Sequence, residues 1–300
     1  MKIGIVGLGK MGLNLALNMK DQNYDVIGFD VVDAVKQAAN EVGIKTFDTL
    51  ETMIDNLEER KVVFVMVPSG DPTETTLSHL NEILKSHPDA IVIDGGNTNY
   101  KMSVRHAEMF RENNIKFLDC GTSGGVSGAR YGACLMIGGD EEAFNYLEDF
   151  FKSITVENGL MYTGKPGSGH YLKMIHNGIE YGMMQAIGEG FEVLNACEYD
   201  YNFVDVSKVW NHGSVIRSWL VELAHEAFLN DPKLDDLTGE VDASGEGEWT
   251  VESAIEHKVP IPVISASVFA RYRSKQKDTY TGKVVAALRN GFGGHSVYKK

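Results

Sequence analysis

Cysteine is scarce in this 300-residue chain: Cys120, Cys134 and Cys197 are odd in number and lie far apart. Such a set points to neither a disulfide framework nor a metal site. Long apolar runs are also missing. The longest candidate, around Val62 to Pro68, is far too short to span a bilayer and reads as a strand. The opening Met1-Lys2-Ile3-Gly4-Ile5-Val6 is too short and too glycine-rich for the apolar core of a signal peptide, so a reducing cytoplasm is the expected setting. Positive charge is in deficit, with 28 Lys and Arg against 42 Asp and Glu and a formal net charge of −14. That balance argues against nucleic acid or an anionic membrane as a partner. No internal repeat or low-complexity tract is present.

What remains is globular material, 43% hydrophobic and 9% aromatic, enough to bury a large core in one or two domains. The charge deficit is not uniform. From His257 to Lys300 nine Lys or Arg face one acid, Asp278, so the tail carries +8 and the rest −22. The tail is either a solvated face complementing the acidic remainder or a source of cations for an anionic substrate.

Up to about Thr163, short β-rich runs (Ile3–Val6, Tyr24–Phe29, Val62–Val67, Ala90–Ile93, Lys116–Leu118, Ala133–Ile137, Leu160–Tyr162) alternate with helical patterns. The helical patterns lie near Met11–Lys20, Asp33–Val42, Thr49–Leu57, Thr73–Lys85, Ser103–Asn113 and Glu141–Lys152. Alternation of this kind predicts βαβ crossovers in an α/β, doubly wound Rossmann-type sheet. Three glycines and a proline in Thr163-Gly164-Lys165-Pro166-Gly167-Ser168-Gly169 then break the pattern, and a long helical stretch from about His170 to Ala196 follows. The expected organisation is a Rossmann-type domain over residues 1–164 and an all-α domain over residues 165–300.

Gly7-Leu8-Gly9-Lys10-Met11-Gly12 follows a strand directly and opens a helix. Glycines at this spacing serve the tight turn, the approach of backbone to a pyrophosphate and close helix–strand packing, with the helix N-terminus facing the phosphates. Asp30 ends the second strand, where a carboxylate accepts from the adenosine ribose hydroxyls of NAD. It would repel the extra phosphate of NADP, and Val31, Val32, Asp33 and Ala34 offer that phosphate no cation. NAD is therefore the expected cofactor. The competing reading of Asp30, a helix N-cap, suits Asp33 better.

Lys173, His176, Asn177 and Glu180 stand at i, i+3, i+4 and i+7 on one face of a predicted helix. Such a stripe can be a solvated face. Ile175, Ile179, Met183, Met184 and Ile187 supply apolar neighbours on the other sides, so the helix is expected to be largely buried and its polar stripe to have a chemical use. A lysine base with a glutamate acid is a workable pair for hydride transfer with proton movement. Two glycine-rich segments end strands at one edge: Asp94-Gly95-Gly96-Asn97 and Asp119-Cys120-Gly121-Thr122-Ser123-Gly124-Gly125-Val126-Ser127-Gly128. Either alone reads as a plain connection; with the helix stripe they outline a site at the carboxyl ends of the strands.

The Gly-x-Gly-x-Met-Gly opening, Asp94-Gly-Gly-Asn97, Ser123-Gly-Gly125, Lys173-Met-Ile-His-Asn177-Gly-Ile-Glu180-Tyr181 and Phe269-Ala-Arg271 together resemble the 6-phosphogluconate dehydrogenases, a branch of the β-hydroxyacid dehydrogenase superfamily, in their short form. The resemblance implies oxidative decarboxylation of 6-phosphogluconate to ribulose 5-phosphate in a pentose phosphate pathway, by a cytoplasmic homo-oligomer, dimer or tetramer. It implies Lys173 as base and Glu180 as acid, and Ser123, Gly124, Gly125, His176 and Asn177 on the substrate's carboxylate and hydroxyls. Tyr181, Thr250 and Arg271 would hold the phosphate, and Arg289 and His295 would enter a neighbouring subunit's site. Cofactor contacts are expected from Gly7, Leu8, Gly9, Lys10, Met11, Gly12, Asp30, Val67 and Pro68, with Asn97 between cofactor and substrate.

Two departures stand out. In Gly245-Glu246-Gly247-Glu248-Trp249-Thr250, Glu248 occupies a position where the family commonly has lysine, so a phosphate contact is missing or is replaced from Arg273 or Lys283. The long form's Asn-Arg-Thr cofactor signature is replaced by Asp30-Val31-Val32, in line with NAD. A 3-hydroxyisobutyrate or tartronate semialdehyde type of reductase would share the fold and Lys173 without needing Glu180 or a basic tail. A non-catalytic NAD-sensing protein would have no use for the polar helix stripe.

Overall fold

In the computed structural model, which describes residues 1–298, eight strands form one sheet. They are β1 (Lys2–Val6), β2 (Asp25–Phe29), β3 (Lys45–Phe47), β4 (Val62–Val65), β5 (Ile91–Asp94), β6 (Lys116–Ser123), β7 (Ala133–Gly139) and β8 (Thr155–Gly164). Between them run α1 (Lys10–Asp21), α2 (Asp33–Glu41), α3 (Leu50–Asp55), α4 (Asp71–Leu84), α5 (Tyr100–Arg111), α6 (Gly125–Tyr131) and α7 (Glu141–Ser153). The strand order is β3-β2-β1-β4-β5-β6-β7-β8. All neighbours are parallel except β6 and β7, which run antiparallel. The order reverses between β1 and β4, the switch point at which doubly wound sheets open a crevice beyond the strand ends.

The inner strands are continuous apolar runs because both faces are covered. Val62 and Phe64 of β4 and Ile91 and Ile93 of β5 join the core on one face; Val63, Val65 and Val92 join the core on the other.

The chain then continues as α8 (Ser168–Ala196), α9 (Phe203–Asn211), α10 (Trp219–Asn230), α11 (Gly245–His257), α12 (Pro262–Ser274) and α13 (Tyr280–Gly293). Among the described residues no strand follows Gly164, so the expected Rossmann-type sheet followed by helices is the observed class. Packing divides the chain into two units, Met1–His176 and the residues from Asn177 onward. The second has its own aromatic core, in which Phe191 meets Phe203, Trp210 and Phe228.

Three local expectations fail. The edge strand β3 is only three residues long, too short for a hydrophobic period to show. The segment from Asp119 to Ser123, expected as loop, continues β6 because the antiparallel β7 pairs with it as far as Ser123 and Cys134. Asp33 does not cap α2: the N-cap is Val32, without a side-chain bond, and the Asp33 carboxylate pairs with Lys36 at 2.9 Å.

Candidate active site

The dinucleotide turn is built largely from backbone. Gly7 adopts a φ of +89° and its N–H donates to the Phe29 carbonyl at 2.9 Å. A side chain on Gly12 would collide with the Gly7 carbonyl, so α1 can start this close to β1 only with glycine there. The N-cap of α1 is Gly9, no side chain caps the helix, and no acid stands in its first turn. Its first N–H groups and the positive end of its dipole therefore remain for an anion. A Cβ on Gly9 would meet nothing within 4 Å, so packing within the protein does not demand this glycine. The space it leaves is the cradle a pyrophosphate needs, and the residues present fit a nicotinamide dinucleotide. Leu8 is buried; Lys10 and Met11 begin α1.

Asp30, just past β2, accepts from Leu8 N–H through Oδ2 at 2.8 Å and from Val32 N–H through Oδ1 at 2.9 Å. Two backbone donors thus hold the carboxylate beside the glycine turn. Val31, beside it, is 84% exposed. Lys36 is held by Asp33 at 2.9 Å and Asp48 at 3.2 Å, and these two carboxylates raise its pKa, Asp33 most.

Val67 and Pro68 follow β4, where the Pro68 carbonyl accepts from Thr73 Oγ1 at 2.8 Å. Beside them the turn after β5 is tied by Asp94, fully buried, which accepts from Gly96 N–H at 3.1 Å and Thr98 Oγ1 at 2.6 Å. Asn97 stands exposed at the tip of that turn. Ser123 ends β6, and Gly124 and Gly125, both at positive φ, start α6.

Asp119 of β6 caps the start of α8. Its carboxylate accepts from Gly167 N–H at 2.7 Å and His170 N–H at 2.9 Å, and burial pushes its pKa up against the pull of His170 and these donors. His170 Nδ1 in turn shares a hydrogen bond with Ser103 Oγ at 2.7 Å. So anchored, α8 carries Lys173 over β6. A Cβ on Gly121 would sit 2.5 Å from the Lys173 Cβ, so a strand residue without a side chain is what lets the lysine seat there. Lys173 is 8% exposed. His176 Nε2 shares a hydrogen bond with Ser123 Oγ at 3.3 Å. The sheet unit thus joins Lys173, His176 and Ser123 at one end of β6. Asp119 is the residue missed as an anchor: it lies 48 and 51 positions before its partners, and only the N-terminal position of α8 could have hinted at it.

The helix surface corrects one expectation. Ile179 and Met183 are 52% and 43% exposed, while Lys173 and Asn177 are each 8% exposed. The polar stripe is the more buried side of α8 and part of its apolar flank faces outward, so the helix is not largely buried in an apolar surround as its composition predicts.

In the helical unit Asn177 Nδ2 donates to Glu246 Oε1 at 3.2 Å. Glu180 is half-buried. The Tyr181 hydroxyl accepts from Ser244 N–H at 3.1 Å, and the Arg271 guanidinium lies 3.4 Å from the centre of the Tyr181 ring, a cation–π geometry. Arg271 also donates to the Asp242 carbonyl at 2.9 Å. Thr250 is buried and donates to the Glu246 carbonyl at 2.8 Å. Tyr181 and Arg271 are therefore in contact, with Thr250 one helical turn from Glu246. Glu248 accepts from the Tyr272 hydroxyl, which burial and that carboxylate push up to about 12. Of the two candidate replacements, Lys283 pairs with Asp278 at 3.3 Å and Arg273 is exposed. Arg289, on α13, and His295, past its end, are exposed.

Residues 2–164 match the family model of the NAD binding domain of 6-phosphogluconate dehydrogenase, and residues 169–290 that of the 6-phosphogluconate dehydrogenase C-terminal domain. The chain is 49% identical over 300 residues to YqeC of Bacillus subtilis, covering 100% of both. It is 41% identical over 302 residues to the NAD(+)-dependent, decarboxylating 6-phosphogluconate dehydrogenase of Haloferax volcanii, covering 100% of this chain and 99% of that protein. Its fold is similar to that of Plasmodium falciparum 6-phosphogluconate dehydrogenase, solved apo, with NADP+ and with 6-phosphogluconate. The TM-score is 0.82 at 28% identity, covering 100% of this chain and 66% of the Plasmodium chain.

Proposed function

Since the chain belongs to the 6-phosphogluconate dehydrogenase family, we propose that it oxidises and decarboxylates 6-phosphogluconate to ribulose 5-phosphate and CO2 with reduction of NAD. The observation that carries this reading is Lys173: a buried lysine seated over Gly121, with His176 bonded to Ser123 on the next turn. Lysine is seldom buried to that depth, and one seated beside a histidine–serine pair at a strand end marks a functional-site candidate.

Bound NAD supplies the hydride acceptor for carbon 3 of the substrate. The α1 N-terminus and Gly9 take its pyrophosphate and Asp30 its ribose, with Val67, Pro68 and Asn97 along the strand ends. Lys173 takes the proton of the 3-hydroxyl as the hydride leaves. The bond to the carboxylate then breaks in the 3-keto acid, and protonated Lys173 returns its proton to the enolate oxygen. Glu180 protonates carbon 1 of the resulting enediol while Lys173 takes back the proton of the neighbouring enol hydroxyl, which leaves the ketone. Ser123, Gly124, Gly125, His176 and Asn177 orient carboxylate and hydroxyls, and Tyr181, Thr250 and Arg271 hold the phosphate. The protein is a cytoplasmic homo-oligomer in which Arg289 and His295 complete a neighbour's site, giving the basic tail its use.

NAD rather than NADP follows from Asp30 and from the lack of a cation at positions 31–34, and the Haloferax relative is named for NAD(+). The test is turnover of 6-phosphogluconate, 3-hydroxyisobutyrate and glycerate (the hydroxy acid of the tartronate semialdehyde couple) with NAD, followed by NADH absorbance. 6-Phosphogluconate should give the highest kcat/KM. A higher value with either smaller acid would overturn the assignment.

A further inference from the structure

The helical unit holds a buried acid that the proposed reaction does not use. Glu246, in the first turn of α11, is 3% exposed. Its Oε1 accepts from Asn177, while its Oε2 is buried with no hydrogen-bond partner. A carboxylate oxygen stripped of water and left unmatched costs stability, and an apolar side chain of similar volume would cost less. Local packing nevertheless supports the arrangement. A Cβ on Gly178 would lie 2.8 Å from Thr250 Cγ2, so the glycine after Asn177 lets α11 approach closely. Thr250 fastens the first turn of α11 by donating to the Glu246 carbonyl at 2.8 Å.

We propose that Glu246 is a positioning residue that fixes which end of the Asn177 amide meets the substrate, an inference that rests on the role given to Asn177 above. The two ends of an asparagine amide are nearly equal in shape and opposite in hydrogen-bonding sense. A carboxylate accepts only, so it draws Nδ2 and turns the carbonyl Oδ1 away from α11. Asn177 then meets a sugar-acid hydroxyl as an acceptor and holds that hydroxyl's hydrogen in one direction. Glutamine at position 246 would fill the same volume but could also donate, and so would allow the amide to flip. The unmatched Oε2 is the cost of a neighbour with only one sense.

A double-mutant cycle tests this on the full-length protein with NAD and 6-phosphogluconate. Glu246→Gln and Glu246→Leu should each lower kcat/KM for 6-phosphogluconate at least ~10-fold, as expected for a lost bond to a charged group. The KM for NAD should not change, and the thermal midpoint of Glu246→Leu should not fall. In an Asn177→Ala background the same changes should cost little more, since the amide they orient is gone. Additive losses, or wild-type kcat/KM in Glu246→Gln, would make Glu246 merely structural. If Glu246→Leu does not fold, the isosteric Glu246→Gln still decides. Absence of 6-phosphogluconate turnover by the unaltered protein would instead remove the functional reading, and this inference with it.

Discussion

The cofactor end of the sheet unit and the polar groups of the helical unit are made of different materials. At the first, the groups proposed to meet the cofactor are mostly main chain: the uncapped start of α1, the Gly9 gap and one carboxylate pinned by Leu8 and Val32 N–H groups. In the second, the groups proposed to meet the substrate are side chains held by other side chains: Asn177 on Glu246, Tyr181 on Ser244, and Arg271 over Tyr181. Main-chain donors are present whatever the side chains are, provided the glycines let the chain turn. Side-chain sites fail one residue at a time. Lys173 lies between these modes, being a side chain whose seat is a glycine on a strand.

The contrast predicts where damage is greatest. Lys173→Met should fold and bind NAD normally yet lose ~10² to 10⁴ in kcat, the usual worth of an acid–base group. Steady-state rates with a separate NAD-binding titration check it, and activity within a few-fold of wild type would remove the lysine from its role. Deleting the chain after Leu288 removes Arg289 and His295 together. It should raise the KM for 6-phosphogluconate by the equivalent of about 1.5–3 kcal/mol, the worth of a charge-assisted contact, with NAD affinity intact. Unchanged substrate kinetics would make the tail a solvated surface. The smallest effect belongs to the main-chain end. The unaltered protein should prefer NAD over NADP by at least ~10-fold, which needs only ~1.4 kcal/mol, and Asp30→Asn with Val31→Arg should weaken or reverse that preference. Catalytic efficiencies with both cofactors decide it, and a native preference for NADP would refute the role of Asp30.

The same contrast explains what the sequence made legible. The dinucleotide turn could be read because strand, glycines, helix and Asp30 all fall within residues 2–30, and the stripe from Lys173 to Glu180 could be read because a helix converts spacing into a face. Asp119 as the anchor of α8 and Glu246 as the partner of Asn177 could not, since each pairing joins residues dozens of positions apart. The outward-facing Ile179 and Met183 were misjudged for a related reason: apolar composition does not say which side of a helix the fold will cover. Glu248 was legible as a departure, but not its bond to Tyr272 on another helix.

The central claim is that a lysine-centred site couples oxidation at carbon 3 to loss of the carboxylate. Its most direct test measures CO2 and NADH together, in one assay of the purified protein with NAD and 6-phosphogluconate. One CO2 should appear for each NADH. NADH without CO2, or no NADH at all, would contradict the account.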